Sequence, residues 1–320
     1  MGVYHVMGLG KNPGVVTVPL SLVYILQLGQ ALEIEKAKDF FKSSGELERK
    51  GSYEREKGMV EAVIVFTSKE TIEGTVLNSC QSKWFGFGFN RGDRSYTLES
   101  VYMKFFNKLF DYFEEKFGFR PKEFRMFAVE VNHQDFEDCF KKIGTTLNAL
   151  KDKEIWGSII GGSNQINIAI LTAGAYKATV SRYYYVFQSA QNLLEPEGIE
   201  KPSRENLNEI VCETIRRWQE LPIFNIEIGD LLKKINGVFE GRKKVNRKEI
   251  EGVLESCGFG KQYLAKLRNF LVFKDDTVER THLFERLINI WGLVDESVIN
   301  FSEWKKWAEE NTILHEIQIF

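Results

Sequence analysis

The sequence predicts an α/β fold in which a mostly parallel, doubly wound sheet is followed by a mainly helical C-terminal part. Three observations predict it. Apolar runs of strand length alternate with longer, helix-spaced patterns over the first 190 residues; glycine-rich turns close two of those runs; and the alternation gives way to helical spacing after Glu195-Pro196-Glu197-Gly198. The boundary implied is 1–195 for the sheet domain and 196–320 for the helical one.

Residues 3–7 form an apolar run ending in Gly8-Leu9-Gly10, and 13–32 carry a helix-length apolar pattern, so the chain opens as strand, turn and helix. Residues 33–58 are charged and contain Ser43-Ser44-Gly45, which reads as an exposed helix end and loop. The run 60–66 is nearly all apolar, as a strand covered on both faces must be. Helical spacing follows at Leu98, Val101, Phe105, Phe106, Leu109 and Phe113, then a buried strand at 124–131 and a helix at 135–150. A short strand at 155–160 closes with Gly161-Gly162, a helix occupies 164–176, and the β-branched and aromatic run 179–187 is a further strand. Downstream, helices are expected at 206–219, 228–239, 247–256, 262–270, 280–291 and 302–310.

Composition narrows the function classes. With 43% hydrophobic residues, 28% charged and only 6 Pro in 320, the chain is that of an ordinary globular protein with material for a buried core. Net charge is −2, from 43 basic and 45 acidic residues, so any grip on nucleic acid has to be local rather than chain-wide. Cys80, Cys139, Cys212 and Cys257 are scattered without a C-x-x-C pair, which signals neither a zinc ribbon nor a disulfide framework. The opening MGVYHVMGLG lacks a basic start and a long apolar run, and no stretch is expected to be apolar for the roughly 18 residues that span a bilayer. A cytoplasmic location, with no membrane partner, is the expectation.

The strongest chemical feature is Met7-Gly8-Leu9-Gly10-Lys11-Asn12-Pro13-Gly14. Gly8 and Gly10 permit a sharp turn and close backbone approach, Asn12 suits a helix cap, and Pro13 suits the first helical position. Amides at such a turn attract phosphate. A second turn, Ile160-Gly161-Gly162-Ser163-Asn164-Gln165-Ile166-Asn167, repeats the arrangement: Ser163 or Asn164 can cap the helix while Gln165 and Asn167 offer side-chain amides. Each turn has a plainer reading as a loop that only starts a helix.

Other chemistries fit less well. The spacing Gly8-x-Gly10-x-x-x-Gly14 is not the dinucleotide G-x-G-x-x-G, the strand ending Phe66-Thr67-Ser68 carries no acid for a ribose, and there is no G-x-x-x-x-G-K-S/T loop. His5, His133, His282 and His315 make no H-E-x-x-H or other metal pair, and no G-x-S-x-G elbow occurs, so neither metal nor cofactor is called for. Trp84-Phe85-Gly86-Phe87-Gly88-Phe89 before Arg91 and Arg94 has the residue types that stack on bases, yet such runs more often pack on a core. Tyr183-Tyr184-Tyr185 reads as ordinary strand. Between Lys233 and Arg268, ten basic residues face four acidic ones, a local surplus suited to phosphates or simply to a solvated face.

The two glycine motifs together resemble those of the CARF domain, the CRISPR-associated Rossmann-like sensor of cyclic oligoadenylates. His5-Val6-Met7-Gly8-Leu9-Gly10-Lys11-Asn12-Pro13-Gly14-Val15-Val16-Thr17 is similar to its first-strand motif, and Gly161-Gly162-Ser163-Asn164-Gln165-Ile166-Asn167 to its late glycine motif. The resemblance covers the sheet domain; the helical remainder is consistent with the winged-helix appendage common in that family. It implies a homodimer whose two-fold axis passes through the ligand site. The ligand-binding residues so implied are Gly8, Leu9, Gly10, Pro13, Gly161, Gly162, Ser163, Asn164, Gln165 and Asn167.

No R-x4-6-H motif of the attached HEPN nucleases is present. A stand-alone ring nuclease is then the expectation: it cleaves cyclic tetra-adenylate by metal-independent attack of a ribose 2′-hydroxyl on its own 3′-phosphate, and so switches off type III CRISPR signalling. Asn12 stands where related ring nucleases have a serine, and Asn164 where related sensors often have lysine, which leaves Lys11 to supply the positive charge beside Asn12. The alternative is a ligand-gated DNA-binding regulator acting through the C-terminal part, with Lys243, Lys244 and Arg247 on phosphates.

Overall fold

The computed structural model describes residues 2–42, 58–121, 124–177, 179–221 and 228–319, so the Ser43-Ser44-Gly45 stretch lies outside the described residues. The strand–helix alternation holds: β1 (Val3–Gly8), α1 (Gly14–Ala31), α2 (Glu35–Phe41), β2 (Val60–Thr67), α3 (Lys69–Ile72), the hairpin β3 (Cys80–Ser82) and β4 (Phe87–Phe89), α4 (Leu98–Phe117), β5 (Arg125–Glu130), α5 (Phe136–Ala149), β6 (Glu154–Ser158), α6 (Asn164–Lys177) and β7 (Val180–Val186). All six β1 residues are buried. A central strand flanked by parallel neighbours and helices on both faces has no solvent side, hence a run that is apolar but for His5.

After residue 195 the chain is less helical than its spacing suggests. α7 (Leu207–Arg217) runs into β8 (Trp218–Leu221), α8 (Ile228–Val238) leads to β9 (Lys244–Asn246), and α9 (Arg247–Ser256) precedes a 3-10 helix (Lys261–Asn269). β10 (Leu271–Lys274), β11 (Thr277–Arg280), α10 (His282–Trp291), α11 (Phe301–Glu310) and β12 (Leu314–Ile317) complete the chain. Strands of three or four residues are too short to show a period of two, so the sequence pattern misses all five. β9, β10 and β11 form their own antiparallel sheet in the order β10-β11-β9.

The main sheet has seven strands in the order β12-β5-β2-β1-β6-β7-β8. Five are parallel, and the edge strands β8 and β12 are antiparallel to β7 and β5. The described fold is therefore Rossmann-like α/β. A division at residue 195 does not partition this sheet, because both edges come from the later residues. The β8 edge is tied by stacking of Trp218 on Tyr184, ring centroids 4.2 Å apart, and the β12 edge lies beside α11, whose Trp304 indole donates to Thr146 Oγ1 on α5 at 2.9 Å.

Alternate residues serve two cores. Val3, Met7, Val63, Val65, Met126, Trp156 and Tyr184 face α1, α2, α4 and α7; Tyr4, Val6, Ile64, Phe66, Phe127, Ile155 and Tyr183 face α5, α6 and the C-terminal helices. α1 corrects one expectation. Its 18 residues are long and apolar enough to cross a membrane, but 89% of them are buried inside the fold, where the helix is covered by the sheet, α4 and α7 and needs no polar face.

His5 interrupts the apolar run of β1 on the first face. Its ring meets Trp156 and Tyr184 edge-on, Nδ1 lies 2.9 Å from the Tyr184 hydroxyl, and Nε2 has no partner among the described residues. Complete burial pushes its pKa down to about 3 from the usual 6.5. Protonation then favours the unfolded chain, so this residue withdraws stability as pH falls from 6.5 toward 3, at up to about 1.4 kcal/mol per pH unit. Urea unfolding of wild type and His5→Phe between those limits is expected to show the steeper loss in the wild type; parallel curves would refute it.

Candidate functional site

The strand order reverses direction between β1 and β6, the point at which open α/β sheets bind ligands beyond their carboxyl ends. The two glycine turns stand there side by side. A Cβ on Gly161 would come within 2.0 Å of the Gly8 carbonyl oxygen and 2.2 Å of Val15 Cγ1, and one on Gly8 within 2.6 Å of the Gly161 oxygen. Gly162 has φ 81°, a left-handed conformation natural to glycine, against the same Gly8 backbone. Around Gly10, by contrast, nothing lies within 4 Å of where a Cβ would be, so that position faces open space.

The first turn is pinned from several sides. Leu9 N–H donates to the Phe66 carbonyl at 2.9 Å and Thr67 Oγ1 to the Leu9 carbonyl at 2.8 Å, which ties the turn to the tip of β2. Asn78 N–H donates to the Lys11 carbonyl at 2.7 Å, and Thr17 Oγ1 to the Leu194 carbonyl at 2.6 Å. Asn12 Oδ1 accepts from Gly14 N–H at 3.0 Å, an Asx turn that leads into the helix, whose N-cap position is taken by Pro13 rather than by Asn12. The amides of Val15, Val16 and Thr17 bond to the Asn12 and Pro13 carbonyls, because Pro13 already has helical dihedrals. The unpaired donors are therefore those of the turn itself: the amides of Gly10, Lys11 and Asn12 have no partner among the described residues. Inside α1, Pro19 supplies no amide, which leaves the Val15 carbonyl without its usual partner four residues on.

In the second turn, Ser163 Oγ accepts from Ile166 N–H at 3.3 Å and donates to the His133 carbonyl at 3.3 Å. The amides of Gly161, Gly162, Ser163 and Asn164 make no bond among the described residues. Two sets of free backbone donors thus lie on adjoining turns, and unpaired turn amides are groups that can hold an anion.

Two clefts flank the junction. The first, about 320 Å³, is lined by Gly10, Lys11, Asn12, Gly14, Val15 and Pro19 from the first turn and helix, by Ile160, Gly161 and Gly162, and by Asn78, Gln188, Ala190 and Gln191. The second, also about 320 Å³, lies on the β2–β5 side and is lined by Leu9, Gly10, Lys11, Gly162 and Ser163 with Ser68, Glu70, Thr71, Val76 and His133. Lys11 borders both and has no ion-pair partner among the described residues.

Of the residues expected from sequence, these clefts gather Leu9, Gly10, Lys11, Asn12, Gly161, Gly162 and Ser163. Gly8 and Pro13 lie buried behind them, and Asn164, Gln165 and Asn167 sit on α6 outside either lining, Asn167 Oδ1 being buried without a partner among the described residues. Sequence reading passed over Asn78, Gln188 and Gln191, which have no motif. It also passed over Ser68, Glu70 and His133. Their signal is position, each falling just beyond the carboxyl end of a parallel strand, and Glu70 supplies an acid two residues after the Ser68 at which none was seen.

The other suggestive stretches pack. Trp84, Phe85 and Phe87 lie against the first core, Phe89 is buried, Trp84 Nε1 donates to the Ile199 carbonyl at 3.0 Å, and Lys104 covers the Phe87 and Phe89 rings. Tyr183 and Tyr184 are strand residues buried in β7. Part of the basic surplus is spent locally: Lys244 on Glu279 at 2.9 Å, Arg247 on Glu251 at 3.0 Å and Arg242 on Glu249 at 2.9 Å.

No family model matches the chain. A protein of Archaeoglobus fulgidus that bears only the name "Uncharacterized protein" is 48% identical over 322 residues, covering 100% of this chain and 98% of its own. Among solved structures, Enterococcus italicus Csm6 bound to cyclic hexa-2′-fluoro-hexa-dAMP aligns with 91% of the chain at 11% identity and a TM-score of 0.36. Protein VC1899 from Vibrio cholerae aligns with 90% at 12% identity and a TM-score of 0.27. The chain spans 56% and 64% of these two longer chains, and at such low scores neither likeness carries an argument.

The junction has a direct test. Gly161→Ala drives a Cβ into the Gly8 carbonyl and is expected to cost about 2–3 kcal/mol, the upper range for overpacking. Gly10→Ala meets open space and is expected to stay within about 0.5 kcal/mol of wild type. Chemical denaturation of the two variants checks the contrast, and equal stabilities would contradict it.

Proposed function

We propose, for a chain that belongs to one family with the Archaeoglobus fulgidus protein, that it binds a cyclic oligoadenylate, cyclic tetra-adenylate, across a homodimer interface and opens the ring without a metal. The observation that carries this reading is the junction of two glycine turns at the tips of β1 and β6, with their free amides on adjoining turns beside two clefts. The motif resemblance to CARF domains points to the same ligand class. Ile160, Phe187 and Ile168, 39%, 73% and 49% exposed, lie just beyond β6, beyond β7 and on α6, and an apolar surface at the site's edge supports a second copy there. With the turns duplicated, four donor sets would face a ring of matching symmetry.

In the ring-opening step, a ribose 2′-oxygen attacks its own 3′-phosphorus and the bond to the 5′-oxygen breaks, leaving a 2′,3′-cyclic phosphate and a 5′-hydroxyl. The chain's part is to bend the backbone into line and to stabilise charge on the phosphate oxygens through the turn amides and Lys11. Asn12, with Oδ1 held by Gly14, has Nδ2 left to orient a hydroxyl. Removing the ring would switch type III CRISPR signalling off.

A second reading rests on the C-terminal order helix, strand, helix, helix, hairpin, which matches a winged helix, and on Lys243, Lys248, Lys266 and Arg268, which make no ion pair among the described residues. A DNA-binding regulator gated by the same ligand would use them on phosphates.

Pure protein incubated with labelled cyclic tetra-adenylate in EDTA is expected to give a linear product ending in a cyclic phosphate, and Lys11→Ala to slow the single-turnover rate by about tenfold or more. A ring intact after prolonged incubation would end the enzymatic reading. The regulator reading predicts a salt-sensitive gel shift of duplex DNA that changes with the ligand and weakens on replacing Lys243, Lys244 and Arg247; no shift at low salt ends that one.

A further inference from the structure

The second cleft holds the groups that proton transfer requires, and nothing in the ring-opening reading has yet used them. Lys11, Glu70 and His133 are the titratable side chains of its lining, set among Leu9 and Val76. His133 follows β5 in the turn before α5, and its carbonyl accepts the Ser163 hydroxyl at 3.3 Å, which fixes the histidine turn to the second glycine turn. Glu70, on α3, has its carboxyl held below the usual range by its own amide and the Ser68 hydroxyl, with His133 and Lys69 adding to the effect. Two acids on the α5 side are otherwise engaged, while Glu137 stands on the first turn of that helix: Asp135 Oδ1 accepts from the Glu137 and Asp138 amides, and Asp138 Oδ2 from Asn132 N–H and Lys142.

We propose that His133 is the general base of ring opening, with Glu70 steadying the imidazolium it becomes. This rests on the ring-nuclease reading and deepens it. The imidazole takes the proton of the 2′-hydroxyl as the 2′-oxygen bonds to phosphorus; the bond from phosphorus to the 5′-oxygen breaks, and the leaving oxygen takes a proton from the Lys11 ammonium. The imidazolium and the lysine then re-equilibrate with solvent, so no oxidant, metal or water is consumed. Asn12 lines the first cleft and not the second, so it takes no part in this proton transfer and acts on the bound ring from the other side of the junction.

The test compares wild type with His133→Ala and His133→Gln, the second keeping hydrogen bonding without proton transfer. Single-turnover rates on cyclic tetra-adenylate are expected to fall about 100-fold in both, within the range of general-base catalysis, while binding stays within about threefold and the acid limb of the pH–rate profile is lost. With the uncleavable 2′-O-methyl ring, the wild-type imidazole proton signal that is missing from both variants is expected to move on binding. Rates within about threefold of wild type, or an unmoved signal, overturn the role of His133 while ring opening by the wild type stands. A wild type that leaves the ring intact overturns the ring-nuclease reading and this role together.

Discussion

The structure depends on one close backbone contact, Gly8 against Gly161. Parallel strands deliver their following turns to the same side of the sheet, but neighbouring turns are kept apart by any side chain between them. With hydrogen alone at both positions the tips of β1 and β6 meet, and the two sets of free amides stand on adjoining turns. A single methyl group would separate them. Gly162, in the left-handed conformation, then turns the chain away from the contact and into α6.

The rest of the fold holds that contact still. Because α1 is buried along nearly its whole length, it cannot tilt without opening the first core, so the turn that precedes it is fixed as well. The bonds from Phe66, Thr67 and Asn78 fasten the turn to β2 and its successor loop, and Ser163 fastens the second turn to the end of β5. Four strand tips, those of β5, β2, β1 and β6, are thereby locked into one rim. The clefts on either side take their walls from segments distant in sequence, Asn78 and Gln188 on one side and Ser68 and His133 on the other.

The C-terminal residues add a second layer of constraint. β8 and β12 form the two edges of the sheet, and at four residues each they leave only a short row of unpaired backbone groups. Between them, the small sheet β10-β11-β9 and its helices join the second core through Leu231, Val245, Leu264 and Val278. The chain leaves the sheet at β8 and returns at β12, so the intervening module is tethered to both edges of the sheet that carries the site.

How much was legible in the sequence follows from what each signal depends on. Buried parallel strands and long amphipathic or fully buried helices write their period into the chain, so β1, β2, α4, α5 and the two glycine turns could be read directly, as could the Rossmann-like class. Strands such as Lys244–Asn246 are three residues long and leave no period to read. Nor does any local pattern show that His133 and Glu70 border the same cleft as Lys11, because that proximity is made by the order of strands. Sequence by itself determined the longer elements and the glycine turns; only the tertiary structure decided which turns touch, since contact between Gly8 and Gly161 is set by β1 and β6 lying side by side across 152 residues of intervening chain.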